Sequence, residues 1–226
     1  MKHIIILHGA LGATDQLESL VNSLKQKQFT VHSFNFSGHG KKPFQSEFGI
    51  EQFVKELEQY ITTNHLEKPM VFGYSMGGYV ALNLAYQQPA LLGNIITLGT
   101  KFEWTPEIAQ KEIKLLDPKI IKEKIPKFAE TLNQRHGNEW ETLLQKTANM
   151  MIGLGNKNAL PLNDVRTIEN NVLIGLADKD TMVSLEETTS VYKHLKHGAM
   201  YMLPNTKHPI ETVNVKLLVK IIEEYI

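Results

Sequence analysis

Apolar residues fall along this chain in two rhythms. Short apolar runs, stopped by glycine or polar residues, recur at 3–7, 69–72, 94–99, 171–176 and 199–203, and the more mixed stretch 31–36 reads as a further strand, the second in order. Runs of that length without polar alternation predict strands buried on both faces, as in a parallel sheet. Between them the apolar spacing turns helical: Leu17, Leu20, Val21 and Leu24; then Ile50, Phe53, Val54, Leu57 and Ile61; then 79–86, 186–195, and a last set from Val213 to Ile221. Each set predicts a helix laid on the sheet, with Asp15 the expected N-cap of the first. Strand and helix alternating in this way predict an α/β fold, a doubly wound and mostly parallel six-stranded sheet.

The alternation breaks once. From 102 to 162 no strand pattern is found, but helix starts recur at Thr105-Pro106-Glu107, at Asp117-Pro118, and at Asn138-Glu139 ahead of Trp140. The expected division is a core of 1–101 and 163–226 with an all-helical insertion at 102–162. That insertion carries Phe102, Trp104, Phe128, Trp140, Met150, Met151, Ile152 and Leu154. Most are expected to pack it onto the body and a few to line an apolar pocket, methionine adapting well to irregular ligands. Gly153 and Gly155 are read as points where the insertion can move.

Composition narrows the function. The 226 residues suffice for one sizeable core with an insertion. The 24 basic and 24 acidic residues cancel, and only two of the basic ones, Arg135 and Arg166, are arginine. Neither feature suits nucleic-acid recognition. The absence of cysteine removes disulfides, thiolate catalysis and Cys-based metal sites. No spacing of acidic residues and histidine suggests a metal site. The first apolar run is too short for a signal peptide or a membrane span, which makes the cytoplasm the expected compartment.

The candidate chemistry starts at Gly73-Tyr74-Ser75-Met76-Gly77-Gly78, a GxSxG sequence between a predicted strand and a predicted helix. That is the setting of a nucleophile elbow, in which the turn is too sharp for side chains beside the serine. Here the chain resembles the α/β-hydrolase fold family. The resemblance continues in His8-Gly9-Ala10-Leu11-Gly12, which matches the HGxxG loop; in Ser37-Gly38-His39-Gly40, which matches a GHG loop; and in residues 204–211, which match the histidine loop with Lys207 in place of the usual glycine. It implies Ser75 as nucleophile, His208 as base, and the backbone N–H groups of Ala10 and Met76 as oxyanion donors. His8 and His39 read as loop determinants and Lys41-Lys42 as a solvated edge. The helical insertion is similar to the cap, or lid, that many members carry, and a substrate pocket of Leu11, Tyr74, Trp104, Met150 and Met151 is expected beneath it. Tyr79 stands where the menaquinone-pathway synthases of the family tend to carry an arginine.

Two residues compete for the acid. Aligned on Asp-x-x-Val the loop offers Asp180; aligned on Gly-x-x-Asp it offers Asp178. Asp180 is preferred because Leu173 to Leu176 is better kept inside the strand. The order Ser, Asp, His along the chain is the one this fold uses. The resemblance therefore implies a serine hydrolase of the carboxylesterase kind, cleaving a small or medium ester or thioester through an acyl-serine. A lyase or cofactor-free oxygenase on the same triad, or a non-catalytic small-molecule receptor, is the alternative. The expected partner is a small-molecule substrate, with no cofactor, metal, nucleic acid or membrane, and the chain is expected to act as a monomer or homodimer.

Overall fold

The computed structural model describes residues 2–225. Six strands form one sheet: β1 (Lys2–Leu7), β2 (Phe29–Ser33), β3 (Met70–Tyr74), β4 (Ile95–Leu98), β5 (Val172–Ala177) and β6 (Gly198–Leu203). Their order is β2-β1-β3-β4-β5-β6 and every pairing is parallel. Successive side chains serve opposite faces. Ile4 and Ile6 join Phe72, Ile96 and Leu98 in a core beneath α1 (Glu18–Lys25) and α10 (Val215–Glu224). Ile5 and Leu7 join Val71 and Ile95 beneath α2 (Ile50–Thr63), α3 (Met76–Gln87) and α9 (Leu185–His194). With both faces covered, strands without polar alternation are what burial selects.

The strand order reverses between β1 and β3, so the loops leaving their carboxyl ends diverge and open a crevice between them. Over that end of the sheet lies the insertion, a helical cap of α4 (Pro106–Ile113), α5 (Pro118–Lys124), α6 (Pro126–His136) and α7 (Trp140–Asn156); the short α8 (Leu162–Val165) that follows packs against α9 of the body. Thr105 and Asp117 cap α4 and α5 through their side-chain oxygens. The cap has its own small core of Ile121, Leu132, Trp140 and Leu144, against which Leu11 of the body packs.

Three local expectations are corrected. The second strand starts earlier than 31 and ends at Ser33, because the Phe36 amide donates to His8 Nε2 (3.2 Å) and Phe34 leaves the sheet to stack on Tyr60. Asp15 caps nothing: the chain enters α1 through a 3-10 turn (Thr14–Leu17), and the Asp15 carboxylate turns to Arg135 Nε at 3.0 Å. Gly153 and Gly155 both lie inside α7, and Gly155 serves close packing. A Cβ there would stand 2.7 Å from Ala109 Cβ and 2.8 Å from the Thr105 carbonyl oxygen.

Candidate active site

β3 delivers Ser75 into the crevice. Ser75 itself holds φ +50° and ψ −117°, a left-handed conformation that costs a non-glycine residue about 1–3 kcal/mol and persists only where its surroundings enforce it. The enforcement is visible. Its amide extends the sheet by donating to Leu98 O (2.8 Å), and its carbonyl accepts from Gly78 N (3.0 Å) and Thr100 Oγ1 (3.1 Å). A Cβ on Gly73 would fall 2.4 Å from Gly78 Cα, and one on Gly77 would fall 2.7 Å from Leu7. The helix therefore sits against β1 and β3 only because these positions carry no side chain.

The loop after β5 supplies a carboxylate and the loop after β6 an imidazole. His208 Nδ1 lies 2.7 Å from Asp180 Oδ2, and the Asp180 side chain is 1% exposed. The other oxygen, Oδ1, accepts from the amides of Met182 (2.8 Å) and Val183 (3.0 Å), which fixes the carboxylate plane. An ionised carboxylate only accepts, so the Nδ1 nitrogen carries the ring proton and Nε2 is left as the basic atom. Tyr74 holds the same loop by donating from its hydroxyl to the His208 carbonyl at 2.9 Å. Burial, with Glu211 and Asp180 nearby, raises the Tyr74 pKa and keeps that hydroxyl protonated. Asp178 faces solvent, and its Oδ1 accepts from Thr206 N at 2.8 Å, with its pKa lowered by the Asn205 and Thr206 amides.

Ser75 and His208 line one cavity of about 500 Å³ between body and cap. Leu11, Tyr74, Trp104, Met150 and Met151 are all in its wall, as are Ala10 and Met76. Of the other apolar cap residues, Phe128 and Leu154 reach the cavity, whereas Phe102 and Trp140 are buried in the cores. No hydrogen bond joins Ser75 to His208 among the described residues; such contacts are often long in ligand-free sites and tighten around substrate. The Ala10 and Met76 amides likewise have no protein acceptor among the described residues. A more open hollow of about 580 Å³ between α2 and α7 contains none of Ser75, Asp180 or His208.

The remaining histidines near the site order loops. His8 Nε2 accepts from Phe36 N, so Nδ1 carries the proton and donates to Gly9 O at 2.8 Å. Burial depresses its pKa to about 4, which keeps it neutral. His39 bonds Ser37 O through Nδ1 and stacks on Phe48. Lys42 is no solvated edge: its ammonium holds the buried Glu56 at 2.8 Å, whose carboxylate also accepts from Ser37 N. Tyr79 is engaged as well, donating to Asn158 Oδ1 and accepting from Leu160 N where the chain returns from the cap.

Three residues that matter to the site gave no motif. Lys101 donates to Met182 O (3.0 Å) and faces Glu187 and Glu112, tying the Asp180 loop to α4 and α9. Arg135 on α6 reaches Asp15 and, at 3.8 Å, Glu211 beside the His208 loop. His136 Nδ1 accepts from Gly40 N (3.0 Å), so its Nε2–H donates to Leu11 O (2.9 Å). The one available signal was Arg135, one of only two arginines in the chain and set beside a histidine.

Comparison with known proteins gives the same frame. Residues 2–119, just over half of the chain, match the family model described as alpha/beta hydrolase fold. Over 217 residues the chain is 24% identical to the serine hydrolase BPHL of Homo sapiens, covering 91% of this chain and 72% of that protein. It is 29% identical over 99 residues to the sn-1-specific diacylglycerol lipase ABHD11 of Danio rerio. That match covers 42% of this chain, and the chain spans less than a third of the lipase's length. Among solved structures, a putative lipase (lip1) from Acinetobacter baumannii superposes with TM-score 0.82 at 16% identity, over 99% of this chain and 83% of that one. The enol-lactonase of Burkholderia xenovorans superposes with TM-score 0.80 at 13% identity, over 99% and 90%. This chain belongs to the α/β-hydrolase fold family, with hydrolases among its relatives.

Among the described residues no group of three or more His, Asp or Glu side chains converges as a metal site would require, and no helix is long and apolar enough to cross a membrane.

Proposed function

We propose that this protein is a serine hydrolase that cleaves a neutral carboxylic ester or thioester of small or medium size. The observation that carries the reading is the convergence of Ser75 and an Asp180-bound His208 on one cavity of about 500 Å³. In the proposed reaction His208 Nε2 removes the Ser75 hydroxyl proton as Oγ attacks the substrate carbonyl carbon. The oxyanion that forms accepts from the N–H groups of Ala10 and Met76. Donors of this kind stabilise the transition state by about 3–4 kcal/mol each. The imidazolium then protonates the leaving alcohol or thiol, and the acyl-serine is hydrolysed by water activated at the same nitrogen. Asp180 stays ionised throughout and holds the tautomer. No cofactor is needed for any step.

Neutrality of the substrate follows from the wall. Its two cations already face carboxylates, Lys101 those of Glu187 and Glu112 and Arg135 those of Asp15 and Glu211. An acidic substrate would have to displace one of these partners. Thr147, buried in the wall and without a hydrogen-bond partner among the described residues, offers one hydroxyl on an otherwise largely apolar surface.

The test is labelling with a fluorophosphonate probe. Wild type is expected to take up one equivalent at Ser75 and to hydrolyse short p-nitrophenyl esters, with both properties absent in Ser75→Ala. A wild type that does neither, yet gains thermal stability from small ligands, would replace this reading with a receptor. Labelling without ester hydrolysis would point to lyase or oxygenase chemistry on the same serine.

A further inference from the structure

The outer tip of the cap differs from the rest of the surface. Residues 111–128 run through the end of α4, a 3-10 turn (Lys114–Leu116), α5 and the start of α6. Leu115 is 65% exposed, Ile120 41%, Ile125 53% and Phe128 37%. These are four of the ten exposed large apolar side chains among the described residues, gathered within fourteen positions. The patch is continuous with the site, because Leu115 and Phe128 also border the Ser75 cavity.

A collar of lysine surrounds it. Lys111, Lys114, Lys119, Lys122, Lys124 and Lys127 are all exposed, against Asp117 and Glu123. Lys122 is paired with Glu141, and the other five have no ion pair among the described residues. Asp117 is already engaged in capping α5, while Glu112 is buried and turned toward Lys101. In a chain whose formal charge is zero, this tip is locally cationic and apolar at once.

That combination selects the partner. Lysine is depleted in protein–protein interfaces, where arginine and aromatic anchors dominate. The tip has no arginine fork for paired recognition of individual phosphates. Flexible ammonium groups ringing exposed aliphatic side chains suit a diffuse anionic surface with a soft apolar interior. We propose that residues 111–128 dock this protein on an anionic phospholipid bilayer, with Leu115, Ile120, Ile125 and Phe128 entering the acyl boundary and the lysines on the headgroups. Docked in this way, the mouth of the Ser75 cavity faces the lipid. The proposal rests on surface chemistry alone and does not depend on the hydrolase reading.

The test is co-sedimentation with vesicles of phosphatidylcholine, with and without phosphatidylglycerol. Wild type and Ser75→Ala are expected to bind the anionic vesicles alike, to release with rising salt, and to ignore pure phosphatidylcholine. Each lysine near such a surface contributes about fivefold to affinity, so Lys119→Glu/Lys124→Glu/Lys127→Glu should bind at least about 100-fold more weakly. Ile120→Ser/Ile125→Ser should also lose binding, while both variants keep wild-type circular dichroism and a wild-type Tm. Failure of wild type to bind at low salt, or equal binding by wild type and the lysine variant, overturns the proposal. So does a concentration-dependent dimer abolished by Ile125→Ser without vesicle binding, which would assign the patch to a second copy of the chain.

Discussion

Asp178 and Asp180 carry the same side chain on the same loop, and only one of them touches the histidine. The Asp180 carboxylate is held by the Met182 and Val183 amides on one oxygen and by His208 on the other. Asp178 bonds the Thr206 amide and faces solvent. Asparagine at 180 would offer the imidazole an amide that can donate, allowing the wrong tautomer. Asp180→Asn is therefore expected to lower kcat by about 10⁴-fold with little change in KM. Asp178→Asn keeps an oxygen acceptor for Thr206 and is expected to stay within a few-fold of wild type. Steady-state kinetics on a p-nitrophenyl ester separates the two, and a large loss confined to Asp178→Asn would reverse the assignment.

At the level of elements, the cap is a small structure resting on a large one. Its core is four side chains, with Trp140 6% exposed at its centre, whereas the two faces of the sheet bury many more. It is fastened to the body at α6 by Arg135 on Asp15 and by His136 between Leu11 O and Gly40 N. Removing a large buried aromatic side chain costs about 3–5 kcal/mol, and here the loss falls on the cap. Trp140→Ala is expected to speed amide hydrogen exchange across α5, α6 and α7 while the amides of β1, β3 and β4 keep their protection. Uniform loss of protection would instead mean that cap and body unfold as one unit.

Across the whole molecule, three histidines from distant parts of the chain meet where body and cap join. The His8 and His39 rings are 4.9 Å apart and those of His39 and His136 are 6.0 Å apart. All three are buried, and burial depresses each pKa: to about 4 for His8 and for His136, and well below the ordinary 6.5 for His39. Asp15 opposes the shift at His8 and His136, and Arg135 adds to it. The sign follows directly. Once unfolded, these histidines take up protons near pH 6.5, which folded His8 and His136 refuse until about pH 4 and folded His39 refuses until well below 6.5. Their contribution is intact above 6.5 and is lost as pH falls toward 4, by at most about 1.4 kcal/mol per pH unit for each histidine. Calorimetry between pH 7.5 and 5 should show Tm falling, with a shallower fall in His136→Gln. A Tm that is flat or rises over that interval would refute the linkage.

Features that short-range physics controls were readable from the order of residues alone. Unbroken apolar runs are satisfied by two-sided burial, which made the inner strands β1, β3, β4 and β5 legible, the edge strands β2 and β6 being only partly buried, and glycines around a serine between strand and helix marked the elbow because the steric demand is local. Asp180 was preferred over Asp178 on the extent of the strand, but which carboxylate meets His208 depended on the path of two loops from β5 and β6. The end of β2 was missed because His8, 28 residues upstream, takes the Phe36 amide. Asp15 was misread as a cap because its partner, Arg135, lies 120 residues away. Leu115, Ile120 and Ile125 carry the same letters as core residues. Only tertiary packing, which gives Ile121 a buried place beside Leu132 and Trp140 and leaves its neighbours in solvent, decides that they form a surface.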